Sequence, residues 1–259
     1  MKCAMTLTAL AAATISSAAS AGLIYQTNFD NYTLGDVNGQ NGWGTYDPTN
    51  TTGGGGFANV VASGNGSQGL QLNSGTGATT SPRYAWPAGY GSQWQAEAAA
   101  GNTKLSVSCD MYMASGSTST ARIGMVSFDS TGSKILTGYY VQANTGLVYL
   151  LANYNNAGTI NNFAFNTNVT MGFDQWVTFT TTWDAVTGRM EVSWGANAFY
   201  VDGAAAGSIA DETDFYATRN ASTVATSATF DNLSISAIPA PGAIALLGVA
   251  GLVSRRRRA

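Results

Sequence analysis

Hydrophobic and polar residues alternate with a period of two along most of the chain. Over 104–113, Leu105, Val107, Cys109, Met111 and Met113 fall on one side and Lys104, Ser106, Ser108 and Asp110 on the other. That period predicts a strand with one wet face. The stretch 122–128 continues it, with Ile123, Met125 and Ser127 opposed to Val126 and Phe128. The runs 135–142 and 147–151 flank Ala143-Asn144-Thr145-Gly146, and 176–183 and 190–194 flank 184–188, so each pair reads as a hairpin. The run 229–235 closes the pattern. Only the Ala-rich 93–100 reads as helix, one or two turns long, while the polar, Gly-rich stretches 51–56 and 64–80 read as surface loops. Many short strands between Gly-containing turns predict an all-β fold, an antiparallel sandwich of two sheets.

The two ends break this pattern, and both read as addresses. Lys2, an apolar run over 7–15 and Ala19-Ser20-Ala21 have the layout of a secretory signal, with signal peptidase cutting after Ala21. At the other end, Ile238-Pro239-Ala240-Pro241-Gly242 precedes an apolar run over 243–253, followed by Arg255, Arg256, Arg257 and Arg258. Its 11 residues would span roughly 17 Å as a helix, short of the ~30 Å hydrocarbon core. The Arg cluster favours the cytoplasmic side. A short hydrophobic, transmembrane helix in transient contact with the inner membrane is therefore expected, acting as a processing signal. This tail resembles the PEP-CTERM sorting signal of exopolysaccharide-producing Gram-negative bacteria. Pro239 and Pro241 match its two prolines, with Ala240 in place of the Glu and Gly242 following, as in planctomycete-type variants. The resemblance implies processing by an exosortase-type protease and delivery to the cell surface or extracellular matrix. The chain then divides into a signal peptide (1–21), one β-sandwich domain (22–237) and a sorting signal (238–259).

Composition narrows the functions open to the central domain. Charged residues make up only 10% of the 259 residues, and the 31 Gly show no every-third period that would suggest collagen. Of the 11 basic residues, four are the terminal arginines and one is Lys2. Arg83, Lys104, Arg122, Lys134, Arg189 and Arg219 are left to face all 14 acidic residues. That balance leaves no electrostatic footprint for nucleic acid. Cys3 leaves with the signal, so Cys109 has no partner for an internal disulfide and reads as a small buried group.

Asn28-Phe29-Asp30-Asn31 near the start and Thr229-Phe230-Asp231-Asn232 near the finish, with Leu34-Gly35 and Asn41-Gly42-Trp43, resemble the entry and exit of the concanavalin A-like, laminin-G-like jelly roll. The resemblance implies that the first and last strands lie side by side. With no His there is no Ser–His or Cys–His pair. Glycosidase chemistry needs two carboxylates on one face, and laminarinase-like jelly rolls carry them as Glu-x-Asp-x-Glu. Glu191 has no acid at plus two or plus four, and the acids of 211–214 read as a loop whose adjacent residues point apart, so no enzyme is expected.

Asp30 and Asp231 are candidate ligands of a structural calcium ion, helped by Asp36 and the carbonyls of 38–41. The alternative is that both cap turns. Among 6 Trp, 12 Tyr and 10 Phe, Trp176, Trp183 and Trp194 read as core. Trp43, Trp86, Tyr90, Trp94 and Tyr154 lie near loops, where rings could stack on sugars beside Asn153, Asn155 and Asn156, or else fill the core. The expectation is a secreted, non-catalytic protein that binds or forms part of the extracellular polysaccharide matrix. Its rivals are a purely structural envelope protein and a laminarinase-like glycoside hydrolase.

Overall fold

The computed structural model describes residues 21–48, 56–63, 67–76, 81–219 and 222–239. They form sixteen strands: β1 (Gly22–Thr27), β2 (Gly35–Asp36), β3 (Gly44–Tyr46), β4 (Ala58–Ala62), β5 (Gln68–Asn73), β6 (Arg83–Trp86), β7 (Lys104–Tyr112), β8 (Arg122–Asp129), β9 (Ile135–Gln142), β10 (Leu147–Asn156), β11 (Thr159–Thr170), β12 (Trp176–Asp184), β13 (Arg189–Trp194), β14 (Asn197–Asp202), β15 (Ala210–Thr218) and β16 (Ser227–Ile238). One α-helix, α1 (Gly91–Ala99), lies between β6 and β7.

The strands make two antiparallel sheets that pack as a sandwich. The nine-stranded sheet runs β14-β13-β12-β7-β16-β5-β4-β2, and β1 also pairs with β16. The seven-stranded sheet runs β11-β10-β9-β8-β15-β6-β3. The first and last strands are neighbours, with Leu23 opposite Ser236 and Thr27 opposite Leu233.

Period-two alternation builds the core. Leu105, Val107, Cys109 and Met111 point inward from β7, and Phe179 and Trp183 from β12. Ile123, Met125, Tyr139, Val141 and Phe215 meet them from the seven-stranded sheet. Rings lock the two layers together: Tyr139 stacks on Phe179 at 4.2 Å, and Phe215 meets Phe230 edge-on at 4.9 Å. Such ring pairs add specific geometry to the area they remove from water.

The alternation named the strand register well, but several expectations change. The stretch 64–80 contains β5, whose Leu70 and Leu72 are fully buried, so it is not a loop throughout. The acids of 211–214 lie within β15 rather than in a loop. Trp176 is half-buried on the outside of the nine-stranded sheet, beside Tyr112 at 5.7 Å, and not in the core.

The expected transmembrane helix must also be corrected. No helix among the described residues is long and apolar enough to cross a membrane. The helix that is present, α1, has nine residues and buries Trp94 against Trp183 at 5.6 Å. The apolar run 243–253, the signal segment up to Ser20, and Ala19, Pro241, Gly242 and Arg255 to Arg258 lie outside the described residues. Ala21 is exposed immediately before β1, and Pro239 follows the end of β16.

Candidate functional site

The outer faces of the two sheets differ in kind. On the nine-stranded sheet, Ser106 and Ser108 of β7 stand opposite Thr182 and Thr180 of β12 and Ser236 and Ser234 of β16. That face is a lawn of small hydroxyls. The outer face of the seven-stranded sheet is aromatic instead, and the pairing shows why.

Tyr46 of β3 stands opposite Tyr84 of β6, and Tyr84 opposite Tyr216 of β15. Tyr216 faces Gly124 of β8, which faces Tyr140 of β9, and Tyr140 faces Tyr149 of β10. One cross-strand row thus carries five tyrosines over six strands, a track of about 24 Å at ~4.8 Å per strand. Tyr140 and Tyr149 stack at 4.5 Å, while Tyr84 lies 6.4 Å from Tyr216 and 6.1 Å, edge-on, from Phe128. The Arg122 guanidinium sits over the Tyr140 ring at 5.0 Å, a cation–π arrangement.

Glycine makes room for this row. A side chain at Gly124 would collide with the backbone of Tyr139 and Tyr140, and one at Gly44 would meet the Trp86 ring 2.9 Å away. The Tyr140 ring packs beside this bare backbone and stands perpendicular to that of Tyr216 at 6.4 Å. The surface between the rings sinks into two adjoining depressions of about 210 and 440 Å³ that share Tyr84, Phe128 and Asn162. The first holds Arg122, Tyr140, Leu151, Phe163 and Tyr216, and the second holds Tyr46, Trp86, Glu212 and Asp214.

Glu212 and Asp214 are two residues apart on β15, so the pleat turns both onto this outer face. They stand opposite Phe128 and Val126 of β8. The neighbouring acids serve the other side: the Asp211 carboxylate accepts a hydrogen bond from the Gly91 N–H at 3.1 Å and fixes the start of α1. A register shift between Ala210 and Glu212 separates these two jobs. On the inner face, the Thr213 hydroxyl is hydrogen-bonded to those of Tyr90 and Ser127, each at 2.9 Å.

Asp214 is only 5% exposed, and its Oδ1 has no hydrogen-bond partner. Burial, reinforced by the charge of Glu212, pushes its carboxyl up to about 8. Glu212 is raised too, by burial and then by Asp211. Burial lifts Tyr84 and Tyr140 to about 12, so both rings keep their hydroxyl protons at neutral pH.

The five aromatic candidates named from the sequence do not gather at one place. Trp43 is buried and its indole N–H donates to the Tyr32 hydroxyl at 2.9 Å. Tyr90 and Trp94 are buried in the core, so neither they nor Trp43 offers a ring face to a ligand. Tyr154 is half-buried and packs edge-on against Phe163 and Phe165. Trp86 alone of the five lines the groove. The tyrosines and the two carboxyls that accompany it lay hidden in short strands, although Tyr84-x-Trp86 and Glu212-x-Asp214-x-Tyr216 carry the period of two that could have revealed them.

Asp30 and Asp231 do not converge with a third ligand. Asp30 accepts from the Gln68 N–H at 2.9 Å and from the Asn28 amide at 2.7 Å. Asp231 accepts from the Asn232 N–H at 2.7 Å at a break in the β16–β7 register. Among the described residues, no group of three or more His, Cys, Asp or Glu side chains is placed to hold a metal ion. Near them, a depression of about 630 Å³ is lined by Gln26, Asn28, Asn31, Asn41 and Asn232. Its tyrosines, Tyr25 and Tyr32, are hydrogen-bonded to each other and to Trp43.

No family model matches the chain, and no curated protein matches its sequence. Solved structures share its fold. An endo-β-1,4-glucuronan lyase from the fungus Trichoderma reesei is similar over 83% of this chain and 95% of its own, with a TM-score of 0.55 and 10% identity. The CBM2 module of an evolved Dit protein from Lactobacillus casei BL23 phage J-1 is similar over 85% and 97%, with a TM-score of 0.52 and 8% identity. A sialidase matches over 86% of this chain, which spans only 19% of the sialidase, with a TM-score of 0.53 and 10% identity. At such identities the likeness is one of fold.

Proposed function

We propose that the protein is an exported, non-catalytic glycan-binding protein that lays a polysaccharide segment along the outer face of its seven-stranded sheet. The in-register tyrosine row carries this reading. The exposed ring of Tyr46 and the partly exposed rings of Tyr84, Trp86 and Tyr149, carried beside buried Tyr140 and Tyr216 and accompanied by polar groups, suit the apolar faces and hydroxyl edges of a sugar chain. The fold is shared with a glucuronan lyase and with a module titled CBM2, which is consistent with a carbohydrate ligand. β15 places two carboxyls, Glu212 and Asp214, on this face, the number that glycoside hydrolysis requires, and hydrolysis is therefore the reading that binding without turnover must exclude. In the same proposal the N-terminal signal directs export, and the 238–259 tail is read by an exosortase-type protease that delivers the domain to the extracellular polysaccharide matrix.

The test is binding of the full-length chain to a panel of immobilised polysaccharides. Tyr84→Ala and Trp86→Ala are each expected to weaken binding by about tenfold or more, as removal of a central aromatic anchor does. Trp176→Ala, on the opposite sheet, is expected to leave it unchanged. Loss at Trp176 with none at Tyr84 or Trp86 would move the site to the hydroxyl-covered face and sink this assignment. Release of reducing ends from a bound glycan would replace binding by hydrolysis.

A further inference from the structure

The acidic end of the groove contains a feature that folding alone leaves unexplained. Asp214 is 5% exposed, and its Oδ1 is the one carboxyl oxygen among the described residues that is buried without a hydrogen-bond partner. A buried carboxyl oxygen without a partner is costly to leave unmatched, and a ligand hydroxyl is one way to match it. Glu212 lies beside it on the same face, and both line one depression with Tyr46, Tyr84, Trp86, Phe128, Gly132 and Asn162.

That lining has two carboxyl groups, two phenols and no cation. The Arg122 guanidinium on this face lines the adjoining depression and lies over Tyr140. A sugar ring seated between Tyr84 and Trp86 would bring its equatorial hydroxyls to the carboxyl pair. Hydroxyls both donate and accept, so they can satisfy Asp214 and Glu212 in any protonation state. A uronate carboxylate in the same place would be a third acidic group in a partly desolvated site with no counter-charge.

Resting on the reading of this face as a glycan site, we infer that Glu212 and Asp214 make its acidic end a selector for uncharged sugar units and against uronate units. The unpaired carboxyl oxygen and the cation-free lining are the two observations that carry it. At neutral pH the raised Asp214 retains a proton and can donate one hydrogen bond to a sugar oxygen, so the charge that opposes a uronate is that of Glu212.

The experiment compares matched probes on the full-length chain, cellohexaose against a hexamer of β-1,4-glucuronate and mannohexaose against a hexamer of mannuronate. Wild type is expected to prefer the neutral member by about tenfold or more, the cost of a like-charge contact at an interface. The double variant Glu212→Gln, Asp214→Asn keeps the shape of both side chains, and it is expected to bring the ratio close to one. A wild-type chain that binds uronates as well as neutral sugars overturns the inference and leaves the glycan site standing. So does a double variant that keeps the full preference. If the folded chain binds neither class, the glycan-binding reading falls and this inference falls with it.

Discussion

Asp214 couples the stability of the fold to pH. Its carboxyl sits at about 8 against an ordinary 3.8, first because it is buried and then because Glu212 is near. Between those values the folded chain holds a proton that the unfolded chain has released. Stability from this group is therefore complete below about pH 4 and declines as pH rises toward 8, after which it changes no further. Glu212 and Asp231 are raised as well and act with the same sign. Asp129 works the other way. Against its own desolvation, the N–H groups of Lys134 and Ser133 and the Thr131 hydroxyl hold it low, so its contribution fades only on acidification. Thermal melts between pH 5 and pH 8.5 are expected to show the wild-type midpoint falling with pH. Asp214→Asn, which has no proton to lose, is expected to flatten that slope and to melt higher than wild type at pH 8.5. Equal slopes for the two proteins would mean that Asp214 is ionised in the folded state.

At the scale of elements, β8 and β9 show what shapes the groove. Gly124 and Gly138 stand on the outer face, opposite Tyr140 and Val126. A methyl group at Gly138 would lie 2.6 Å from the Met125 carbonyl oxygen, and one at Gly124 would strike the Tyr139 carbonyl. In both cases the obstacle is backbone, which cannot rotate aside. Gly124→Ala is expected to cost about 1–3 kcal/mol, the usual range for overpacking, seen as a midpoint lower by roughly 2–4 °C per kcal/mol in a domain of this size. It is also expected to weaken glycan binding by lifting Tyr140 off the sheet. A variant with unaltered midpoint and unaltered binding would show that the glycine contributes nothing to the groove. The same strands mark the limit of what sequence pattern reveals. Leu105 to Met113 declared their faces through clean alternation, and the structure keeps those faces. Tyr84, Tyr140 and Tyr216 did not, because apolar residues occupy both sides of β6, β9 and β15. When both faces are aromatic or aliphatic, period two still marks a strand but no longer says which side is inside. The acids of β15 misled for a related reason: four adjacent polar positions over 211–214 look like a turn unless the pleat is known to send alternate ones to opposite faces.

For the whole molecule, the sequence identified the sandwich and the adjacency of its ends, since β1 does lie against β16. It could not identify the site, because that site is a row across strands far apart in the chain. Tyr46, Tyr84 and Tyr216 become neighbours only through pairings that skip from β3 to β6 to β15. The two outer faces then divide the labour. The nine-stranded sheet presents Ser and Thr at its centre, with Tyr112 and Trp176 at one end and Tyr200 of β14 beneath Arg189. The seven-stranded sheet presents the aromatic groove. The proposed function requires the domain to leave the cell, which depends on the segments flanking it. Cleavage after Ala21 would leave Gly22, the first residue of β1, as the new terminus. Intact-mass measurement of protein secreted by an exopolysaccharide-producing Gram-negative host is expected to give a chain starting at Gly22. Ala19→Leu with Ala21→Leu is expected to retain the leader, since signal peptidase accepts small residues at those places. Replacing Arg255 to Arg258 with Ala is expected to leave this N-terminal cut intact while abolishing any trimming within 238–259. A secreted chain with its tail whole in both forms would remove the exosortase from the account, and the aromatic groove would then have to reach its polysaccharide by another route.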